Sequence, residues 1–172
     1  MKAHSGPSSQ WARAFALQAL SDLRARDILS AGVSDRCHTL HYLQMATEKV
    51  CKAHLHAQGK NVRQSHRQIV GVLERIARRE ISGTSKSLAY SSWFMQAVAH
   101  FADEIEALAP AVRTGGREAN CEYPWEDSHG RVHTPCLHKF SKIDENDRTV
   151  KRIVTLIRSA AEEYAAIPAT VL

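Results

Sequence analysis

The stretch VSDRCHTLHYLQMATEKVCKAHLHAQG, residues 33–59, decides the fold because its apolar residues recur at the spacing of an α-helix. Ser34 or Asp35 can cap its start, and Gly59 can end it. The residues that recur every three or four positions, and so share one face, are Leu40, Leu43, Ala46, Thr47, Val50 and Ala53. Such a face has to be buried, so the stretch predicts a long amphipathic helix in a helical core.

Four further stretches show the same periodicity. They predict helices over about residues 10–30, from a Ser65 cap to about 81, over 86–108, and from about 147 to 166. None of these helices can bury its apolar face alone, and the short connections between the first four favour antiparallel neighbours. The sequence therefore predicts an all-α protein, an up-and-down bundle of four to five antiparallel helices with a long ordered loop before the last helix.

That loop, about residues 109–142, is long for a compact domain and is rich in aromatic residues. Tyr123, Pro124 and Trp125 are interpreted as its anchor, two rings docked on the bundle with a proline that restricts their backbone. The residues on either side of the turn-like DSHG, 127–130, could pair as a short β-ribbon. We therefore expect an ordered insertion.

Length and composition favour one domain spanning residues 1–172. Apolar residues make up 44% of the chain and charged residues 24%, which is ordinary for a globular protein. There is no run of about 18 apolar residues, and the start MKAHSGPSSQW has no apolar signal region. We expect a cytoplasmic protein with no membrane partner and, since the four cysteines form no C-x-x-C pair, reduced thiols.

The positive charge is concentrated in one segment. The net charge is +5, and residues 49–73 contain five lysines and arginines, three histidines and no acidic residue. Lys60, Arg63 and Arg67 would lie near the start of the third helix, where free backbone N–H groups also favour an anion. They are the candidate anion- or RNA-binding residues. The alternative is a solvated turn, because no aromatic residue interleaves with these charges to stack bases.

The second and third predicted helices resemble the central helical pair of HEPN domains. Residues 40–73 carry an A-x-E-K-x-x-K-A pattern, a loop with glycine, and a small residue followed by histidine. The matching positions are Ala46, Glu48, Lys49, Lys52, Ala53, Gly59, Ser65 and His66. The resemblance implies a four-to-five-helix bundle, frequent homodimerisation, and roles in RNA cleavage, in toxin–antitoxin pairs or as partner of a nucleotidyltransferase.

The active ribonucleases of that family carry Arg-x4-6-His near the start of a late helix. This chain matches the spacing at Arg36–His41 and at Arg131–His138, while chance alone predicts about 2.6 matches in this composition. Neither match stands at the start of a late helix, so the family's catalytic residues are not carried over. Arg36, His38 and His41 are the candidates for metal-independent RNA cleavage, because histidine titrates near neutrality and arginine can hold a phosphate.

The insertion also offers ligand types for zinc. Cys121, His129, His133 and Cys136 could supply four donors, but structural zinc sites use more tightly spaced pairs. We expect no metal and no cofactor, and a zinc-stabilised binding protein is the alternative. The sequence favours a homodimeric HEPN-like interaction module whose partner is RNA or a nucleotide, an antitoxin or a nucleotidyltransferase. A metal-independent HEPN-type endoribonuclease is the other alternative.

Overall fold

The computed structural model describes residues 7–32, 35–60, 69–82, 88–109 and 119–168. Within these ranges it has five α-helices, which are α1 (Pro7–Ala31), α2 (Arg36–Ala57), α3 (Ile69–Ser82), α4 (Leu88–Ala107) and α5 (Arg148–Ala165). The described part of the insertion holds two short strands, β1 (Trp125–Glu126) and β2 (Val132–His133), and one 3-10 turn, Pro135–Leu137. The prediction of an all-α helical bundle is confirmed.

The ends of α2 and α5 follow from local residues. Asp147 caps α5, since its Oδ1 accepts hydrogen bonds from the backbone N–H groups of Thr149 and Val150 at 2.7 and 3.2 Å. Asp35 precedes α2 in the cap position, without a side-chain cap bond. Gly59 follows α2 with a φ of 70°, a conformation that glycine adopts without steric cost. The predicted Ser65 cap and His66 lie outside the described residues.

α2 is the central helix, because it contacts each of the other four. α1 packs against α2 along its length, and pairs such as Trp11 with His56 and Asp22 with Lys49 show that the two run antiparallel. α3 packs on α4, and α5 lies against α1 and α2. The apolar stripe predicted for residues 33–59 is completely buried. None of the described helices is long and apolar enough to cross a membrane.

The β-ribbon predicted around DSHG forms in the insertion. Trp125 pairs with His133, and Glu126 pairs with Val132, in an antiparallel register. The carboxylate of Asp127 closes the turn by accepting a hydrogen bond from His133 and two more from the N–H groups of His129 and Arg131. The bond from His133 contributes most, followed by those from Arg131 and His129, and together they keep the pKa of Asp127 below its usual range.

Candidate functional site

The catalytic candidates Arg36, His38 and His41 lie in the first turns of α2, and two of them contact the insertion. The guanidinium of Arg36 donates a hydrogen bond to the backbone carbonyl of Ile143. His41 Nδ1 lies 3.1 Å from Glu122 Oε1, within ion-pair range but without hydrogen-bond geometry. The side chain of His38 is exposed.

Thr39 provides a third link between α2 and the insertion. Its Oγ1 donates to Glu145 Oε2 at 2.7 Å, and Glu145 Oε1 accepts from Arg26 Nε and Nη2 on α1 at 2.9 and 2.7 Å. The side chains of Arg26 and Glu145 are only 11% and 16% exposed, so solvent and salt screen this ion pair weakly. In the structure the insertion extends to residue 147, after which α5 begins. We define the loop clamp as the contacts that Arg36, Thr39 and His41 make with its described residues, 119–147.

Trp125 belongs to the buried core that also contains Leu40 and Leu43 of α2. Its side chain is 5% exposed, and its ring lies in a cluster with centroid distances of 5.3 Å to His133 and 4.9 Å to His138. The ring of Phe140 extends the cluster, at 4.8 Å from His138. Aromatic rings at these separations attract one another beyond the effect of burial.

Tyr123 and Pro124 do not share this role. The side chain of Tyr123 is 62% exposed, and Pro124 is also exposed. The cause is a bend made by the buried Asn120, whose Oδ1 accepts hydrogen bonds from the N–H groups of Glu122 and Tyr123 at 3.0 and 2.8 Å. The prediction of a three-residue anchor is therefore corrected to Trp125 alone.

The four alternative zinc ligands are not assembled into a site. Cys121 is buried, with its Sγ 3.8 Å from the carbonyl oxygen of Leu108, and His133 Nε2 lies 2.8 Å from Asp127 Oδ2. His129 and Cys136 are exposed. Burial raises the pKa of the Cys121 thiol to about 12, so the thiol is protonated at pH 7 and donates to the Leu108 carbonyl. The described residues, which include all four, contain no group of three side chains that could hold a metal.

A buried polar network at the carboxyl end of α2 was not predicted. His54 is 5% exposed, with Nδ1 2.7 Å from Tyr164 Oη on α5 and Nε2 2.8 Å from Gln58 Nε2. Since the Gln58 amide nitrogen is a donor, His54 Nε2 accepts and its Nδ1–H donates to Tyr164. Burial is the main cause that lowers the pKa of His54 to about 4, so the imidazole is neutral at pH 7.

This network predicts a loss of stability on acidification. The pKa of His54 is about 4 in the fold and 6.5 in a solvent-exposed histidine, so the unfolded chain binds more protons between these values. The buried, neutral His54 therefore makes its full contribution to stability above pH 6.5. As the pH falls towards 4, the free energy of unfolding decreases by up to ~3 kcal/mol. Urea unfolding at pH 7, 5.5 and 4.5 measures it. His54→Asn should flatten the profile in this window, and an unchanged profile would contradict the assignment.

The candidate anion-binding residues are only partly described. Lys60 follows α2 and is exposed, whereas Arg63 and Arg67 lie outside the described residues. Within the same segment, Lys49 pairs with Asp22 and Lys52 pairs with Glu48. Two of the five lysine and arginine charges in residues 49–73 are therefore balanced by acidic side chains.

An aromatic stack lies beside this basic segment. Trp11 and Phe15 of α1 meet His56 of α2, with centroids 6.1 and 5.5 Å from the imidazole and interplanar angles of 22° and 17°. Lys52 Nζ lies 5.8 Å from the centroid of Phe15, and Trp11 is 56% exposed. Sequence reasoning missed this stack because its two large rings come from a different helix. We call Trp11, Phe15 and His56 the ring stack.

Two cavities lie along α4 among the described residues. One of about 320 Å³ is enclosed by the carboxyl end of α4, Leu40 and residues 138–143, and the other of about 300 Å³ lies between α4 and the start of α5. Glu104 and Lys142 line both cavities and form an ion pair at 3.2 Å between them. The first cavity is mainly apolar. Neither cavity was predicted from the sequence.

Comparison with known proteins gives no relative. No family model, no curated protein and no solved structure matches the chain. The HEPN resemblance of residues 40–73 therefore remains a prediction.

Proposed function

We propose that this chain is a non-catalytic, HEPN-like helical interaction module that acts as a homodimer in an RNA-linked context. The observation that supports this proposal most is the loop clamp. In an RNA-cleaving site, arginine would hold the phosphate and histidine would move protons. Here the guanidinium of Arg36 binds a backbone carbonyl of its own chain, and its Nε is buried without a hydrogen-bond partner.

The surface of the insertion favours a protein partner. Three large apolar side chains remain exposed there, namely Tyr123 at 62%, Val132 at 69% and Leu137 at 85%. Large apolar side chains that remain exposed are a feature of protein contact sites. A second copy of the chain, an antitoxin or a nucleotidyltransferase is the kind of partner that we propose for this surface.

The oligomeric state tests the homodimer directly. Multi-angle light scattering of the purified chain is expected to give about twice the 19.2 kDa protomer mass. Tyr123→Ser combined with Leu137→Ser should shift the mass towards one protomer without loss of helical circular dichroism, because both side chains are exposed. A strict monomer at high protein concentration contradicts the dimer.

A metal-independent endoribonuclease is the second candidate, and one contact favours it. A carboxylate beside an imidazole can orient it as a general base, and Glu122 lies 3.1 Å from His41. His38 is exposed nearby on the same helix. In this alternative His41 moves the proton, and a phosphate would have to displace Ile143 from Arg36.

RNA cleavage separates the two candidates. We expect no cleavage of labelled single-stranded RNA by the wild-type chain in the presence of EDTA, over substrates that sample all dinucleotide steps. Cleavage that survives EDTA and disappears in His41→Ala would overturn the non-catalytic proposal and support the ribonuclease. His129→Ala is the matched control, because that histidine is exposed on the turn of the β-ribbon.

A further inference from the structure

We infer that the ring stack is a base-stacking site for single-stranded RNA, with Trp11 as the platform and the basic end of α2 as the phosphate contact. This inference rests on the proposed RNA-linked function and deepens it, because it names the ligand class and the residues that recognise it. It uses a different part of the molecule from the loop clamp.

The geometry of the ring stack suits a planar ligand. Phe15 and Trp11 lie nearly parallel to the imidazole of His56, at 17° and 22°. The indole of Trp11 contacts both His56 and the half-buried Phe15, with its centroid 6.1 and 5.8 Å from theirs, and the side chain remains 56% exposed. Burial lowers the pKa of His56, so its ring is neutral and stacks without repelling the nearby lysine. A nucleic-acid base can extend such a stack because every base has a π-face.

The charge around the ring stack fits a polyanion. Lys52 Nζ lies 5.8 Å from the centroid of Phe15 and pairs with Glu48 on the same helix. Lys60 is exposed just after α2, four residues beyond His56, which contacts Trp11. Cationic side chains beside an aromatic platform are typical of sites that bind single strands without sequence preference.

The chain provides a matched control for this site. Trp11 on α1 and Trp93 on α4 are exposed to nearly the same extent, 56% and 52%. Trp93 lines the cavity between α4 and the start of α5, beside Asp144 and Asp147, where acidic groups disfavour a phosphate chain. Trp11→Ala and Trp93→Ala therefore remove equal rings from surfaces of different charge.

Fluorescence anisotropy with a fluorescein-labelled single-stranded oligouridylate tests the inference, with helical circular dichroism as the check of folding. Trp11→Ala is expected to weaken binding roughly 5- to 150-fold, the range for loss of one stacked base. Trp93→Ala should bind within about 2-fold of wild type, and Trp11→Phe should retain most of the affinity. Lys60→Ala should weaken binding and reduce its salt dependence by roughly 0.7 in the slope of log Kd against log salt.

The opposite results overturn the inference. Wild-type binding weaker than about 100 µM, or an equal loss in the two tryptophan variants, means that the ring stack is not an RNA site. Tighter binding to the matching single-stranded DNA or to duplex RNA would show that single-stranded RNA is not the ligand of this site. Unchanged RNA binding with loss of the dimer in Trp11→Ala would identify a protein contact. Cleavage of the RNA in these samples would refute only the proposal that the protein is non-catalytic. Binding of the matching single-stranded DNA would still measure base stacking on Trp11.

Discussion

Replacing Trp125 with alanine is expected to lower the free energy of unfolding by about 3–5 kcal/mol, the range for a buried tryptophan. The indole is 5% exposed, contacts the rings of His133 and His138, and belongs to the buried core that also contains Leu40 of α2, so its removal leaves a cavity in that core. Urea unfolding followed by far-ultraviolet circular dichroism measures the change.

Tyr123 is the control for this prediction because it lies two residues away and is 62% exposed. Tyr123→Ala should change the free energy of unfolding by less than about 0.5 kcal/mol. Equal losses for the two variants would show that the insertion is held by both rings, as the sequence suggested, and would contradict the single anchor.

Replacing Lys49 with alanine is expected to destabilise the bundle by about 3 kcal/mol, because it leaves the carboxylate of Asp22 buried without its cation. Asp22 is 6% exposed, and its remaining described hydrogen bond comes from Gln18 at 3.2 Å. The pair links the middle of α1 to α2. The measurement is the same urea titration at pH 7.

A double variant separates the buried charge from simple loss of packing. Asp22→Asn with Lys49→Met removes both charges and should recover most of the lost stability, since two neutral side chains need no partner charge. The exposed pair of Arg78 with Glu74 gives the comparison, and Arg78→Ala should cost less than about 0.5 kcal/mol. A double variant as unstable as Lys49→Ala would mean that the ion pair itself is not the cause.

The helical fold could be predicted from the sequence because helix periodicity is a local signal. The residues of α2 that repeat every three or four positions are all buried, and the glycine that follows them has the positive φ of a helix end. The β-ribbon was predicted for a similar reason, since Asp127 and Gly130 mark its turn within five residues.

The candidate site could not be predicted because it depends on contacts between distant residues. The spacing of Arg36 and His41 resembles a catalytic motif, but it does not reveal that Ile143 and Glu122 are their neighbours. The absence of aromatic residues among the lysines argued against base stacking, yet Trp11 reaches His56 from another helix. The burial of His54 was also not predicted. Its hydrogen-bond partner, Tyr164, lies on another helix, and the sequence around His54 does not indicate that contact.

The claim that the first turns of α2 bind the insertion rather than RNA is tested most directly by hydrogen exchange in Arg36→Ala. The loop clamp predicts that backbone amides of residues 119–147 exchange faster in this variant, while those of α3 and α4 keep their wild-type rates. It also predicts no RNA cleavage by either protein. Unchanged exchange in residues 119–147, together with an RNA-cleaving activity that the variant lacks, would contradict it.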